Sequence, residues 1–239
     1  RQDVFYKTGD RNLDRMLGGG LPAGGIFAFQ GAPSSGKSLA ALSVCRNLLD
    51  EDDEARVAYF DTENKISQKA LQRMGLGKFV KNKHFLMLTM SNLEDMIEKI
   101  VEFAETGFFK MIVIDSIDSL TTDEQEERDI HDGSKVGGYK AKVLSEHLPR
   151  VVHVAAENDC SILFVQQIRL NPGAMYGSPE VTSGGEALKF YVTTRIRFGA
   201  NKNNDIEVDG KLDYQGATAK ILKTNQGSVP KEAIGLRFY

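Results

Sequence analysis

Cysteine is scarce in this 239-residue chain: Cys45 and Cys160 are the two present, far apart and in no C-x-x-C pair. That excludes a disulfide scaffold and a zinc knuckle, and it predicts a reducing, cytoplasmic setting. No run of residues approaches the roughly 18 unbroken apolar positions that a membrane-spanning helix needs. The stretch Arg1 to Asp10 is polar and holds no apolar signal region, so neither a membrane span nor a secretory leader is expected. Positive charge is not in excess either: 30 Lys and Arg face 33 Asp and Glu, for a net charge of −3. A uniformly basic coat for nucleic acid is excluded, whereas a local basic track is not. Internal repeats and low-complexity tracts are absent as well. What is left, 41% hydrophobic and 26% charged residues, is the composition of a globular core. One domain over 1–239 is expected.

Short apolar runs bounded by turn residues recur along the chain at Gly25–Gln30, Arg56–Asp61, His84–Thr89, Lys110–Asp115, Ser161–Gln166 and Thr194–Phe198. Met111-Ile112-Val113-Ile114 and Ile162-Leu163-Phe164-Val165 are apolar at every position, the pattern of strands covered on both faces. Between the runs, Lys37–Leu49, Leu93–Glu105 and Lys140–Ala156 read as amphipathic helices. Such alternation predicts an α/β fold with a mostly parallel central sheet flanked by helices. Past Arg195 the pattern changes: segments 204–212, 216–224 and 233–239 read as strands of a C-terminal antiparallel extension, joined by polar turns.

The strongest motif is Gly31-Ala32-Pro33-Ser34-Ser35-Gly36-Lys37-Ser38, a full G-x-x-x-x-G-K-[ST] match between an apolar strand and a helix. Gly31 and Gly36 permit backbone angles that aim N–H groups at phosphate oxygens, and the following helix adds the positive end of its dipole. Lys37 is placed to reach the β- and γ-phosphates of a nucleoside triphosphate, and the Ser38 hydroxyl to hold Mg²⁺. A carboxylate beside that metal is required, and Asp115 supplies it at the end of four apolar strand residues, where α/β sheets bind ligands. A second acid, Glu63, follows another strand and is the candidate base for the attacking water; on spacing alone a solvated loop acid fits it equally well. Gln167, at the end of a third strand, is a candidate sensor of the γ-phosphate, with an ordinary strand-exit residue as its alternative.

Taken in order, Thr8-Gly9, Leu13-Asp14, Leu17-Gly18-Gly19-Gly20-Leu21-Pro22, the phosphate loop, Asp61-Thr62-Glu63, Ile114-Asp115-Ser116 and Gln167-Ile168-Arg169 form a recognisable series. It continues through Met175-Tyr176-Gly177-Ser178-Pro179-Glu180 and Gly184-Gly185-Glu186-Ala187-Leu188-Lys189-Phe190-Tyr191. This resembles the ATPase core of the RecA-type DNA strand-exchange recombinases over nearly the whole chain, and Gln167 to Tyr191 is its most specific part. The resemblance implies a RecA-like P-loop NTPase fold, without the N-terminal packing helix and C-terminal domain of bacterial members. It implies a DNA-dependent ATPase that uses ATP and Mg²⁺, polymerises on single-stranded DNA as a helical filament, and exchanges strands with double-stranded DNA. A helicase-like motor or a regulatory DNA-repair paralogue of the same class is the alternative.

By the same resemblance, Glu63 is the catalytic glutamate, Asp115 the metal-site carboxylate, and Gln167 the switch at the mouth of the second DNA-binding loop, about Ile168 to Ser183. The first DNA-binding loop is expected near Ile130–Gly138. DNA-contacting positions are Lys142, Ser145, Arg169, Gly184 and Gly185; Lys189, Phe190 and Lys223 fall where the family meets a neighbouring subunit or its ATP. The loop residues agree independently. Residues 169–185 hold Arg169, four glycines, two prolines and small polar residues, which suit contact with phosphates and exclude a packed core. Met175 and Tyr176, followed by Gly177, are placed to stack on bases, with Ser183 near the loop's end. His131, Lys135, Lys140 and Lys142 add a basic cluster at the first loop, which taken alone reads as a solvated helix face and in this context as a DNA contact. The chain departs from the family at Ser67 and Ala70, where an Asp and an adenine-stacking Tyr are usual, and at Pro172, Glu186 and Asn225.

Overall fold

The computed structural model describes residues 4–126, 136–170, 180–182, 185–200, 206–208, 211–214, 216–226, 229–230 and 232–236. Strand β1 (Phe5–Tyr6), helix α1 (Arg11–Met16) and β2 (Leu21–Pro22) come first. Then follow β3 (Ile26–Gly31), α2 (Lys37–Glu51), β4 (Val57–Asp61), α3 (Gln68–Arg73), α4 (Gly77–Lys81), β5 (Phe85–Leu88) and α5 (Leu93–Glu105). After them come β6 (Met111–Asp115), a 3-10 turn at Ile117–Ser119, α6 (Asp123–Glu126), α7 (Val136–Glu157), β7 (Ser161–Leu170), β8 (Glu180–Thr182) and α8 (Gly185–Tyr191). The chain continues through β9 (Thr194–Ala200), β10 (Ile206–Val208), β11 (Lys211–Tyr214), β12 (Ala217–Thr224) and β13 (Ile234–Leu236).

The central sheet runs β13-β12-β9-β3-β7-β6-β4-β5, with β8 paired to β7. Every pairing from β9 to β5 is parallel, and β12 and β13 extend the sheet antiparallel. The period of two along each strand sorts the core into two layers. Phe27, Phe29, Tyr59, Val113, Leu163 and Val165 pack on one face with Ala41, Val44, Cys45 and Leu48 of α2. Ile26, Ala28, Phe60, Ile112, Ile114 and Phe164 pack on the other with Met96, Ile97 and Ile100 of α5 and Leu144, Leu148 and Val151 of α7. Because both faces are covered, these strands carry no polar alternation. Helix α5 begins where Asn92 caps the Asp95 amide at 3.1 Å, with Glu94 and Asp95 facing the positive helix end. Among the described residues no helix is long and apolar enough to cross a membrane.

Three expectations need correction. Segment 204–212 is not one strand: β10 and β11 pair antiparallel to each other, separated in sequence by Asp209-Gly210, a dipeptide that favours tight reversal. Val136–Gly138 belongs to α7 rather than to a loop. Gly137 and Gly138, at about 1 kcal/mol each against helix, hide that start in the sequence, and the anchorage of Lys140 described below offsets them. Finally, the ends of the expected second loop are strands. Ile168, Arg169 and Leu170 pair with Thr182, Val181 and Glu180, which satisfies backbone groups that a loop leaves to water.

Candidate nucleotide site

The C-terminal ends of β3, β7, β6 and β4 lie side by side. Gly31 pairs with Gln167, Asp115 with Val165, and Asp61 with Asp115. At the end of β3 the chain turns through Pro33–Ser35 into α2, whose N-cap Gly36 has φ of 91°, a conformation that costs little without a Cβ. A Cβ on Gly31 would also lie 2.5 Å from the Phe198 carbonyl oxygen. At Gly31 the loop is thus closed on its inner side by β9. Lys37 is buried, and its Nζ donates to the Ala32 carbonyl at 2.7 Å and to Ser35 Oγ at 3.4 Å. Burial lowers the pKa of this ammonium, while the carboxylates of Asp115, Asp118 and Glu63 pull it back up.

Asp115 is buried too, and the phenol of Tyr59, fully buried in β4, donates to its Oδ2 at 2.6 Å. Burial holds this carboxyl above its ordinary range, and hydrogen bonds from Tyr59 and Ser38 offset part of that. The Asp115–Ser116 peptide bond is cis. Asp61 is spent on its own turn, accepting from the amides of Ile66 at 2.8 Å and Lys65 at 3.2 Å. Thr62 Oγ1 bridges to Ser116, accepting from its amide and donating to its carbonyl, both at 2.8 Å.

Those braces present Glu63 to three donors. Ser116 Oγ donates to Glu63 Oε1 at 3.0 Å, Gln167 Nε2 donates to the same oxygen at 3.3 Å, and Lys65 forms an ion pair with Oε2. Burial works to raise the Glu63 carboxyl, but Lys65, Ser116 and Gln167 outweigh it and hold it below its ordinary range. The main-chain amide of Gln167 in turn donates to Asp118 Oδ2 at 2.6 Å. Pro33, Ser34, Lys37, Ser38, Glu63, Asp115 and Gln167 line one cleft of about 310 Å³. The residues present fit a magnesium–triphosphate pair. A glycine-walled cradle, a buried ammonium and a hydroxyl–carboxylate pair converge there. Among the described residues no cluster of three or more His, Cys, Asp or Glu forms a metal cage, and Mg²⁺ bound through phosphate needs only one or two protein ligands.

Sequence reasoning brought Lys37, Ser38, Asp115, Glu63 and Gln167 to this cleft but missed Tyr59, Lys65, Ser116 and Asp118. Tyr59 carried a signal, since a tyrosine in an otherwise apolar buried strand needs a hydrogen-bond partner. Ser67 caps α3, its Oγ accepting from the amide of Ala70 at 3.2 Å. Elsewhere, Lys142 and Ser145 are exposed on α7; Lys142 lies 3.5 Å from Glu124, and Ser145 Oγ donates to the Ala141 carbonyl at 2.7 Å. Lys140, expected in the basic cluster, is buried and turned inward. Arg169 takes its place in the β7 ladder, and Gly185 opens α8. Met175, Tyr176, Gly177, Ser183 and Gly184 lie outside the described residues. Lys223 Nζ donates to the carbonyls of Lys189 at 3.1 Å and Phe190 at 2.9 Å, which brings the three expected interface residues together and leaves Phe190 76% exposed.

Comparison with known proteins shows the family. The family profile described as RecA N-terminal domain matches residues 2–234. Protein RecA of Psychrobacter cryohalolentis is 35% identical over 205 residues, which are 83% of this chain and 55% of that protein. Protein RecA of Delftia acidovorans is 32% identical over 226 residues (92% and 59%), and that of Acinetobacter baumannii 32% over 234 residues (95% and 62%). The chain therefore spans somewhat over half the length of the relatives it matches. With the profile matching almost end to end, the chain belongs to the RecA family.

Proposed function

We propose that residues 1–239 form one ATPase core domain of a cytoplasmic, DNA-dependent recombinase that binds ATP with Mg²⁺. On this reading it assembles on single-stranded DNA as a helical filament and exchanges strands with duplex DNA. The observation that carries the reading is the hydrogen bond between Glu63 and Gln167. It joins the candidate base to the residue at which β7 departs toward β8, the start of the expected DNA-binding segment.

Loop N–H groups and Lys37 would bind the phosphates, and Ser38 and Asp115 would hold Mg²⁺, which would supply neutralisation of phosphate charge. Glu63 orients the attacking water and takes its proton, while Ser116 fixes the carboxylate. Gln167 exchanges its bond to Glu63 for one to the γ-phosphate and thereby moves the strand that leads to β8. Lys142 and Ser145 on α7, with Arg169 and residues 175–185, contact the DNA backbone and bases. Lys189, Phe190 and Lys223 meet the neighbouring subunit, with the exposed Phe190 ring as the anchor.

Coupling of this kind is reciprocal, so ATP should tighten DNA binding by the factor by which DNA tightens ATP binding. Fluorescence anisotropy on single-stranded DNA, with a non-hydrolysable ATP analogue, with ADP and with neither, tests it in the wild type and in Gln167→Ala. The wild type is expected to gain affinity with the analogue, to lose it as salt rises, and to show filaments in electron micrographs. Gln167→Ala is expected to keep nucleotide binding and lose the gain. A wild type indifferent to nucleotide, or a mutant that keeps the full gain, refutes the reading.

A further inference from the structure

Lys140 lies in the second turn of α7, and its side chain is only 5% exposed. A buried ammonium is costly unless its donors are satisfied. Here Nζ donates to the Asp118 carbonyl at 2.7 Å and the Ile117 carbonyl at 3.2 Å. Both belong to the 3-10 turn that directly follows Asp115-Ser116. On the far side of that turn, Asp118 Oδ2 accepts the Gln167 amide at 2.6 Å. That contact lies two residues beyond Val165, the last β7 residue paired with β6. The turn is therefore clamped between α7 and β7. Ser116, at its N-terminal side, holds Glu63 Oε1, so one short segment touches the helix, the candidate switch and the candidate base.

Two residues along a helix turn the side chain by about 200°. Lys142 accordingly faces solvent where Lys140 faces the turn, and Ser145 is exposed one turn further on. We propose that Lys140 and Asp118 are positioning residues that connect α7 to Gln167 and Glu63, so that a polyanionic backbone gripped at Lys142 and Ser145 changes the nucleotide site. This rests on the reading of α7 as a DNA-contacting helix. It adds a second route beside the Gln167 side chain, through the main chain of residues 116–118.

The test compares ATP turnover with and without single-stranded DNA in the wild type, Lys140→Met, Lys140→Arg, Asp118→Leu and the Lys140→Met/Asp118→Leu double variant. Lys140→Met is expected to lose about fivefold or more of the DNA stimulation, while DNA-free turnover and the KM for ATP stay within about twofold. Lys140→Arg keeps the charge and donors and is expected to keep most of the stimulation. The double variant is expected to be no worse than Asp118→Leu alone, because both substitutions break one chain of contacts. Full stimulation in Lys140→Met, or losses that multiply in the double variant, overturns the proposal. If the wild type itself shows no stimulation, the DNA reading fails and the relay falls with it; a stimulated wild type beside an equally stimulated Lys140→Met removes the relay alone. Hydrogen exchange at the Gln167 amide is expected to quicken in Asp118→Leu, and unchanged exchange overturns the Asp118 limb. Should Lys140→Met melt below the assay temperature, Lys140→Gln carries the same comparison.

Discussion

Replacing Glu63 with Gln alters one atom and one charge and leaves the shape of the side chain intact, which separates a structural acid from a chemical one. In the folded protein the remaining oxygen still accepts from Ser116 Oγ and Gln167 Nε2, the partners at 3.0 and 3.3 Å. The lost interaction is the ion pair with Lys65, whose side chain is 70% exposed. A pair so solvated is worth at most about 1 kcal/mol, or about 2–4 °C in Tm for a chain of this size. If Glu63 is the base, losing it slows hydrolysis by about 10²–10⁴-fold, equivalent to about 3–5 kcal/mol of barrier. The two effects differ severalfold in free energy and appear in different measurements. Phosphate release under single-turnover conditions gives the rate, a fluorescent ATP analogue gives the affinity, and a thermal melt gives the stability. The expected result is a turnover collapse with nucleotide affinity and Tm nearly unchanged. A loss of turnover below about tenfold, or an affinity that falls in step with the rate, refutes the assignment.

Two further substitutions probe the groups that tune the site. Tyr59→Phe removes the donor at 2.6 Å from Asp115 Oδ2 and should cost about 1.5–3 kcal/mol in urea unfolding, as expected for a hydrogen bond to a charged group. It should also push the Asp115 carboxyl further up and raise the Mg²⁺ concentration needed for half-maximal turnover; an unchanged Mg²⁺ requirement would separate Tyr59 from the metal site. Lys65→Met removes the cation that, with Ser116 and Gln167, holds the Glu63 carboxyl low against the opposing effect of burial. Since a base works only when deprotonated, the acid limb of the pH–rate profile should move to higher pH; a shift to lower pH, or none, would count against Lys65 as its partner.

Strands β3, β4, β6 and β7 were legible because burial on both faces leaves uninterrupted apolar runs. Strand β9 was legible from its alternation of buried and more exposed positions, and α5 was legible to the residue because Asn92 and the acids after it mark its start. The antiparallel pair β10 and β11 is readable in principle, since Asp209-Gly210 interrupts segment 204–212 in the sequence. The pairing of β7 with β8 was not, because Ile168–Leu170 finds its partner across a segment whose composition reads as loop. At the site, Lys37, Ser38 and Asp115 came from the spacing that phosphate and metal impose. Spacing alone leaves Glu63 between base and loop acid; the structure adds Ser116 and Gln167 as donors to its carboxylate. Lys140 was misplaced for a simple reason: a lysine in a basic cluster reads as solvated, and only tertiary contacts reveal that its donors are spent on the carbonyls of Ile117 and Asp118.

The position proposed for the switch follows from where the ladders end. Gln166 is 1% exposed, and its side-chain oxygen accepts from Gln30 Nε2 at 2.7 Å, which ties β7 to β3 one residue before Gly31 and Gln167 come level. On its other side β7 has already parted from β6, whose last partner is Val165. The Gln166 side chain is thus locked into the sheet, and Gln167, the next residue, lines the cleft. Past it the strand exchanges β6 for β8. A rearrangement at Gln167 need not disturb the core behind it, because the Gln30–Gln166 bond and the flanking ladders isolate the two. It does act on what lies ahead, since Ile168 is already paired with Thr182. The spacing between neighbouring strands, about 4.8 Å, puts β3 and β4 three spacings apart, or about 14 Å. Glu63 follows β4, and Gln167 lies on the strand next to β3 with its side-chain amide donating to the glutamate. On the proposed reading, a change of partner at this side chain is passed to the strand ahead through Ile168, whose partner Thr182 lies on β8.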